Sequence, residues 1–210
     1  MAQEWVDSLY EEHKDAIVAL PTSKHEEYNR VRRRAKAPQT ISLMFPDTFE
    51  VSREEPLWDH HLYVDDAGKF GWNANTWESA VLKTAMESDD FVAWLRNYPR
   101  KPWSLAIPYK RRGEDRPLYP DLIIFRRVND KLLMDLLDPH NPELGDAVEK
   151  AVGLADYAKK HGEFFGRIEL IRVERDGQVK RLNVNREAIR EKVLSVGDPA
   201  HLEALFEGQA

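Results

Sequence analysis

The most constraining feature of this chain is a dipeptide, Asn129-Asp130, set between two strongly apolar runs, Leu118–Arg127 and Lys131–Asp138. Asn and Asp tolerate the positive φ that a two-residue hairpin turn demands, and such a turn dictates the pairing on either side of it. Val128 then faces Lys131, and counting outward brings Asp121 directly opposite Asp138. Directly opposed residues point to one face of the sheet, with Cβ atoms about 5 Å apart. His140 follows two residues after Asp138 and shares that face while the strand continues, whereas Asp135 opposes Ile124 on the other face. A one-residue bulge exchanges these roles.

Two carboxylates held that close repel, and one stays protonated unless a cation lies between them. A hard cation with oxygen ligands, Mg²⁺ above all with Mn²⁺ as a substitute, answers that problem. The plain alternative is that Asp121, after Pro120, and Asp138, before Pro139, only end strands or cap loops.

The surroundings of the hairpin supply a fold class. Residues 76–96 carry apolar side chains at helical spacing (Trp77, Val81, Leu82, Ala85, Phe91, Trp94, Leu95), interrupted by Ser88-Asp89-Asp90 as a break or second cap. Three strand-like segments follow, Trp103–Tyr109, Leu118–Arg127 and Lys131–Asp138, and read as a meander. Asn141-Pro142 suits a helix start, and Leu144, Ala147, Val148, Ala151, Leu154, Ala155 and Ala158 make one apolar stripe up to His161. Strands at Phe165–Val173 and Gln178–Val184 and helices at Arg186–Leu194 and Pro199–Phe206 complete the reading. A helix between the third strand and Phe165–Val173 can cross the sheet and let the two strands pair in parallel. The class is α/β. Residues 1–40 read as a helical arm of two helices, the second ending in Arg30 and Arg32-Arg33-Arg34, and 41–75 as a connecting loop with a short strand at 40–45 and a small hairpin, Leu62–Val64 with Lys69–Gly71. Residues 76–210 are the core. Adjacent His60 and His61 point opposite ways in any strand and read as loop or strand histidines.

Composition trims the functional choices. The 210 residues hold no cysteine, which excludes disulfides, thiolate zinc sites and a cysteine nucleophile. No apolar run approaches the roughly 18 residues of a membrane span. Charges in MAQEWVDSLYEEHKD stand where a signal peptide needs its apolar core, so the cytoplasm is expected. There is no phosphate-cradling glycine loop; Gly68-Lys69 stands alone, and no nucleotide-binding motif is expected. A net charge of -6 argues against binding nucleic acid by bulk charge, though patches such as Lys110-Arg111-Arg112 and Arg126-Arg127 can touch phosphates. Ordinary surface charge is the alternative for both.

The ordered stretches Trp77–Leu82, Tyr119–Ile124, Leu137–His140 and Lys150–Ala158 resemble the PD-(D/E)XK nuclease superfamily. Within it they are most similar to the nuclease-like C-terminal region of helicases related to type III restriction enzymes. The resemblance implies a restriction-endonuclease-like αβββαβ core, a central mixed sheet flanked by helices, with the N-terminal helical arm outside it. It implies that Asp121 and Asp138 bind Mg²⁺ with Glu78 assisting from the preceding helix. Taken alone, Glu78 is one glutamate among many. The superfamily's lysine position, two after Asp138, holds His140 here, so either His140 acts as charged donor or base, or Lys150 supplies the ammonium from the next helix. Without the resemblance, Lys150 reads as a lysine reaching past its apolar stripe to water. Tyr157 supports the site by the same resemblance, with Gly153 where the family pattern has glutamine. The implied function is Mg²⁺-dependent hydrolysis of DNA in restriction or phage defence, beside a helicase motor in the same parent protein or a separate subunit. A homodimer is compatible with it. The rival is a catalytically degenerate module on the same fold that binds DNA or a partner protein.

Overall fold

The computed structural model describes residues 45–47, 49–101, 103–139 and 145–208. The expected helical arm, most of the 40–45 strand, His140 and the Asn141-Pro142 helix start lie outside the described residues. Strand β1 (Leu57–Trp58) pairs with β2 (Phe70–Gly71), and helix α1 (Thr76–Met86) leads into β3 (Phe91–Arg96). Strands β4 (Ile107–Arg111) and β5 (Glu114–Leu118) precede β6 (Leu122–Val128) and β7 (Lys131–Pro139). Helix α2 (Ala147–His161), strands β8 (Ile168–Val173) and β9 (Val179–Asn183), and helices α3 (Glu187–Leu194) and α4 (Pro199–Glu207) follow. The result is an α/β protein whose central sheet, in the order β3-β6-β7-β8-β9, is mixed: β7 and β8 run parallel and the other pairs antiparallel.

The hairpin forms in the expected register. Asn129 and Asp130 both have positive φ, 49° and 62°, and Val128 pairs with Lys131 through to Leu122 with Leu137. Asp135 faces Ile124, as the turn requires. The parallel pairing of β7 with β8 also agrees with the crossover expected from α2.

The meander's first strand is corrected. Residues 91–96 are not the end of a helix but β3, which pairs with β6 and forms the sheet edge. Helical spacing over so short an apolar run cannot be told from a strand, and the aromatic and β-branched Phe91, Val92 and Trp94 suit a pleated surface better. Residues 107–111 belong instead to a separate β4–β5 ribbon, turned by Arg112-Gly113 with φ of 52° and 85°. The Leu118–Arg127 segment is thereby divided between β5 and β6. The expected partner of Phe70–Gly71 is likewise corrected from Leu62–Val64 to Leu57–Trp58. The turn itself stands: Asp65 Oδ1 accepts from the amides of Ala67 and Lys69, and Gly68 has φ 75°.

Each face of the sheet is covered. Val81 and Leu82 of α1 pack on Trp94, Leu122, Ile124, Leu137, Ile171 and Val173, and Trp58, Phe70 and Trp72 close that layer. Residues 57–72 therefore share one core with the sheet rather than merely linking to it. On the other face the register aligns Leu95, Ile123, Leu136, Ile168, Leu170 and Leu182, all buried. The alanines of α2 are buried where it lies against β4, β8 and α3. Gly153 permits the closest approach: a Cβ there would sit 2.3 Å from Tyr109 Cβ.

Candidate functional site

The sheet ends in a cavity of about 620 Å³ where β3 and β7 finish and β6 begins. Its wall includes Asp121, Asp138, Lys150, Arg96 and the first residues of α1. Asp121 precedes β6 and Asp138 follows Leu137, so the two stand one step beyond the last β6–β7 pair, Leu122 with Leu137, and line the same cavity. Asp138 faces inward and is 4% exposed. Its carboxyl is pushed up to about 8, first by burial and then by the charge of Asp121, with Lys150 and Arg96 pulling the other way. Burial and a neighbouring carboxylate both favour its neutral form.

Glu78 arrives at this site by a local motif. Asn75 caps α1, its Oδ1 accepting from the amides of Trp77 and Glu78, while Glu78 Oε2 accepts from the Asn75 amide at 2.9 Å. The Asn75-x-x-Glu78 spacing is a sequence signature of such a capping box. Its other oxygen, Oε1, lies 2.9 Å from Arg96 Nη2. Burial raises the Glu78 pKa, and the charge of Asp121 adds to this, against the opposing pull of Arg96 and the Asn75 amide.

Arg96 is the residue that sequence reasoning missed, because it was assigned to a helix end. It closes β3, and its Nη1 donates to Asp121 Oδ1 at 2.6 Å and to the Asp121 carbonyl at 2.8 Å. Its guanidinium carbon sits 5.0 Å from the Trp72 ring centre. Beneath it, the Arg96 amide donates to His61 Nε2 at 3.3 Å, and the His61 ring stacks on Phe70 at 3.6 Å. Burial pulls the His61 pKa down to about 4, so the ring is neutral. This matches the reading of His61 as a structural histidine.

Lys150 comes from the second turn of α2. Its Nζ is 3.1 Å from Asp146 Oδ1, one helical turn back, and Asp146 Oδ2 accepts from the Tyr109 hydroxyl at 2.8 Å. Burial works to raise the Asp146 pKa, but the bonds from Tyr109 and Lys150 and the charges of Lys150 and Arg111 outweigh it and hold it low. Lys150 is thus drawn toward Asp146 while lining the same cavity as Asp138.

Three expected contributors are placed elsewhere. Arg126 is 6% exposed, with Nε and Nη2 on Asp135 at 2.5 and 3.1 Å and Nη1 on Asp90 at 2.5 Å. It is a buried ion-pair partner and is removed from the nucleic-acid patch; on its face of the sheet the Asp135 carboxylate requires a cation. Tyr157 lines a second cavity, between α2 and the β4–β5 ribbon, with its ring 4.8 Å from His161. Arg111 is drawn toward Gly145 and Asp146 rather than outward. Lys110, Arg112 and Arg127 are exposed. Gly153 abuts Tyr109, which leaves no room for a side chain.

As a cation site, the donors Asp121 and Asp138 fit: both are hard oxygen ligands, and a cation stabilises the ionised Asp138 against its burial and against the charge of Asp121. Glu78 is turned to its own cap and to Arg96. Among the described residues no three carboxylate or imidazole groups close on one point. Nor is any helix among them long and apolar enough to cross a membrane.

Fold and site together define an α/β protein whose mixed sheet opposes two aspartates at the edge of a cavity shared with a lysine and an arginine. The chain belongs to the YagJ family, whose model matches residues 59–210. It is 30% identical over 206 residues to "Protein YagJ" of Escherichia coli (strain K12), spanning 93% of this chain and 83% of that protein.

Proposed function

We propose that this protein is a metal-dependent endodeoxyribonuclease of the PD-(D/E)XK type, built on a restriction-endonuclease-like core and acting in the cytoplasm in restriction or phage defence beside a helicase motor. The observation that carries the reading is the meeting of Asp121 and Asp138 on one cavity just past the last β6–β7 pair, with Lys150 of the following helix on its wall. The order α1, β3, β6, β7, α2, β8, with the ribbon inserted after β3, agrees with the αβββαβ arrangement.

Asp121 and Asp138 would hold Mg²⁺ or Mn²⁺, and Glu78 of α1 would assist on leaving Arg96. The ion, when bound, supplies a polarised phosphoryl oxygen and a water of lowered pKa. The residues of the chain do the rest. Asp138 gives up its proton on ionising, Lys150 offers an ammonium to the scissile phosphate, and the exposed Lys110, Arg112 and Arg127 offer charge to the DNA backbone. His140, which lies outside the described residues, is the alternative donor or base. The test is nicking of supercoiled DNA with Mg²⁺ or Mn²⁺ against EDTA. Metal-dependent nicking by the wild type that is lost in Asp138→Ala is expected; equal nicking by the two would overturn the assignment.

One observation favours the rival reading, a non-catalytic module on the same fold that binds DNA or a partner protein. Arg96 already occupies one oxygen each of Glu78 and Asp121. Metal-independent DNA binding without nicking is the outcome that selects it.

A further inference from the structure

Arg96, on the cavity wall, ties together carboxylates from two parts of the fold, Glu78 in the first turn of α1 and Asp121 just before β6. A cation bound by Asp121 and Glu78 would compete for the same two oxygens, Oδ1 and Oε1, that the guanidinium now engages. Two positive groups cannot both sit on them without strong mutual repulsion in a partly buried site. The guanidinium is also not exhausted by these bonds, since its Nε is buried and makes no hydrogen bond among the described residues. Its planar fork matches a phosphate as well as a carboxylate. The Trp72 face beneath it gives the charge a resting place that does not depend on either acid. Lys150 stands on the wall of the same cavity, so an arginine released from its acids joins a second cation facing that space.

We infer that Arg96 is an exchangeable cation: it holds Glu78 and Asp121 in the metal-free protein, and yields them to a divalent ion to bind a phosphate of the nucleic-acid backbone. This rests on the metal-dependent reading above and adds to it a residue that couples metal binding to phosphate binding. Arg96 is a positioning residue for the metal ligands and a contact for the phosphodiester.

The test compares the full-length wild type with Arg96→Gln and Arg96→Lys, using Mn²⁺ binding by titration calorimetry and anisotropy of a labelled DNA duplex in Ca²⁺. Removing the competing charge should tighten Mn²⁺ binding in Arg96→Gln by about tenfold or more. The same variant should bind the duplex about tenfold more weakly in Ca²⁺, and Arg96→Lys should fall between on both measures. If Arg96→Gln is unfolded without metal, recovery of its cooperative melting on adding Mn²⁺ supports the exchange, and failure to recover overturns it. Mn²⁺ bound equally by wild type and Arg96→Gln overturns the inference while leaving the nuclease reading standing. Mn²⁺ bound by neither protein removes both.

Discussion

Asp138→Asn replaces the protonated carboxyl of the folded protein by a neutral group of the same shape, and its effect on stability can be worked out with its sign. The Asp138 carboxyl ionises at 3.8 in the unfolded chain and at about 8 in the folded protein. A folded pKa raised above the unfolded one means that its contribution is fully present below pH 3.8 and is lost as pH rises toward 8. The unfolded state releases a proton over that window while the folded state keeps it. About four units at about 1.4 kcal/mol each give about 6 kcal/mol as an upper bound for a closed site, and less as water enters. Asparagine has no such slope. Urea unfolding at intervals from pH 5 to pH 8.5 should show the wild type losing stability relative to Asp138→Asn, with the variant ahead by about 2–5 kcal/mol at the upper end. Mg²⁺ at pH 8 should restore the wild type, because a bound cation stabilises the ionised carboxyl, and should leave the variant unmoved. Parallel pH profiles for the two proteins would refute the argument that Asp138 is buried and crowded.

Asp121→Asn should weaken the rise in melting temperature that Mn²⁺ produces in the wild type, and an equal rise in both would exclude Asp121 as a ligand. If Lys150 supplies the ammonium, Lys150→Ala should abolish nicking while His140→Ala keeps measurable activity; the reverse pattern assigns the role to His140, with a wild-type rate rising as the imidazole deprotonates. Arg126→Met should cost about 3–5 kcal/mol in urea unfolding because Asp135 is left buried without its cation. Its effect on the affinity of refolded protein for DNA should be small, and a large selective loss of affinity would return Arg126 to the interface. Gly153→Gln should destabilise by about 1–3 kcal/mol or more through collision with Tyr109, and an unchanged denaturation midpoint would contradict that packing.

The parts legible in sequence are those determined by short-range chemistry. Asn129-Asp130 specified a turn, the turn specified a register, and the register opposed Asp121 to Asp138 while turning Asp135 away. The apolar stripe of α2 and its crossover to β8 followed from periodicity and from the length a parallel connection needs. The capping box at Asn75 and Glu78 was equally local, and its spacing was there to be read. The error at 91–96 marks the limit: the five apolar residues Phe91 to Leu95 satisfy both periods, and only pairing with β6 decides between them.

What tertiary structure alone decided is the company each charge keeps. Arg96 and Arg126 are both arginines on adjacent strands, yet one closes over the cavity acids and the other is buried against Asp90 and Asp135 on another part of the sheet. Sequence distance hides part of this company: Asp121 is 25 residues from Arg96 and Asp90 is 36 from Arg126, although Asp135 is only 9 away across the hairpin. Gly153 faces Tyr109 only because the ribbon folds onto α2, and Tyr157 is thereby directed to a different cavity. Backbone preference and periodicity act over a few residues and can be read from the chain, whereas burial and ion pairing depend on which distant segments the packed fold brings into contact.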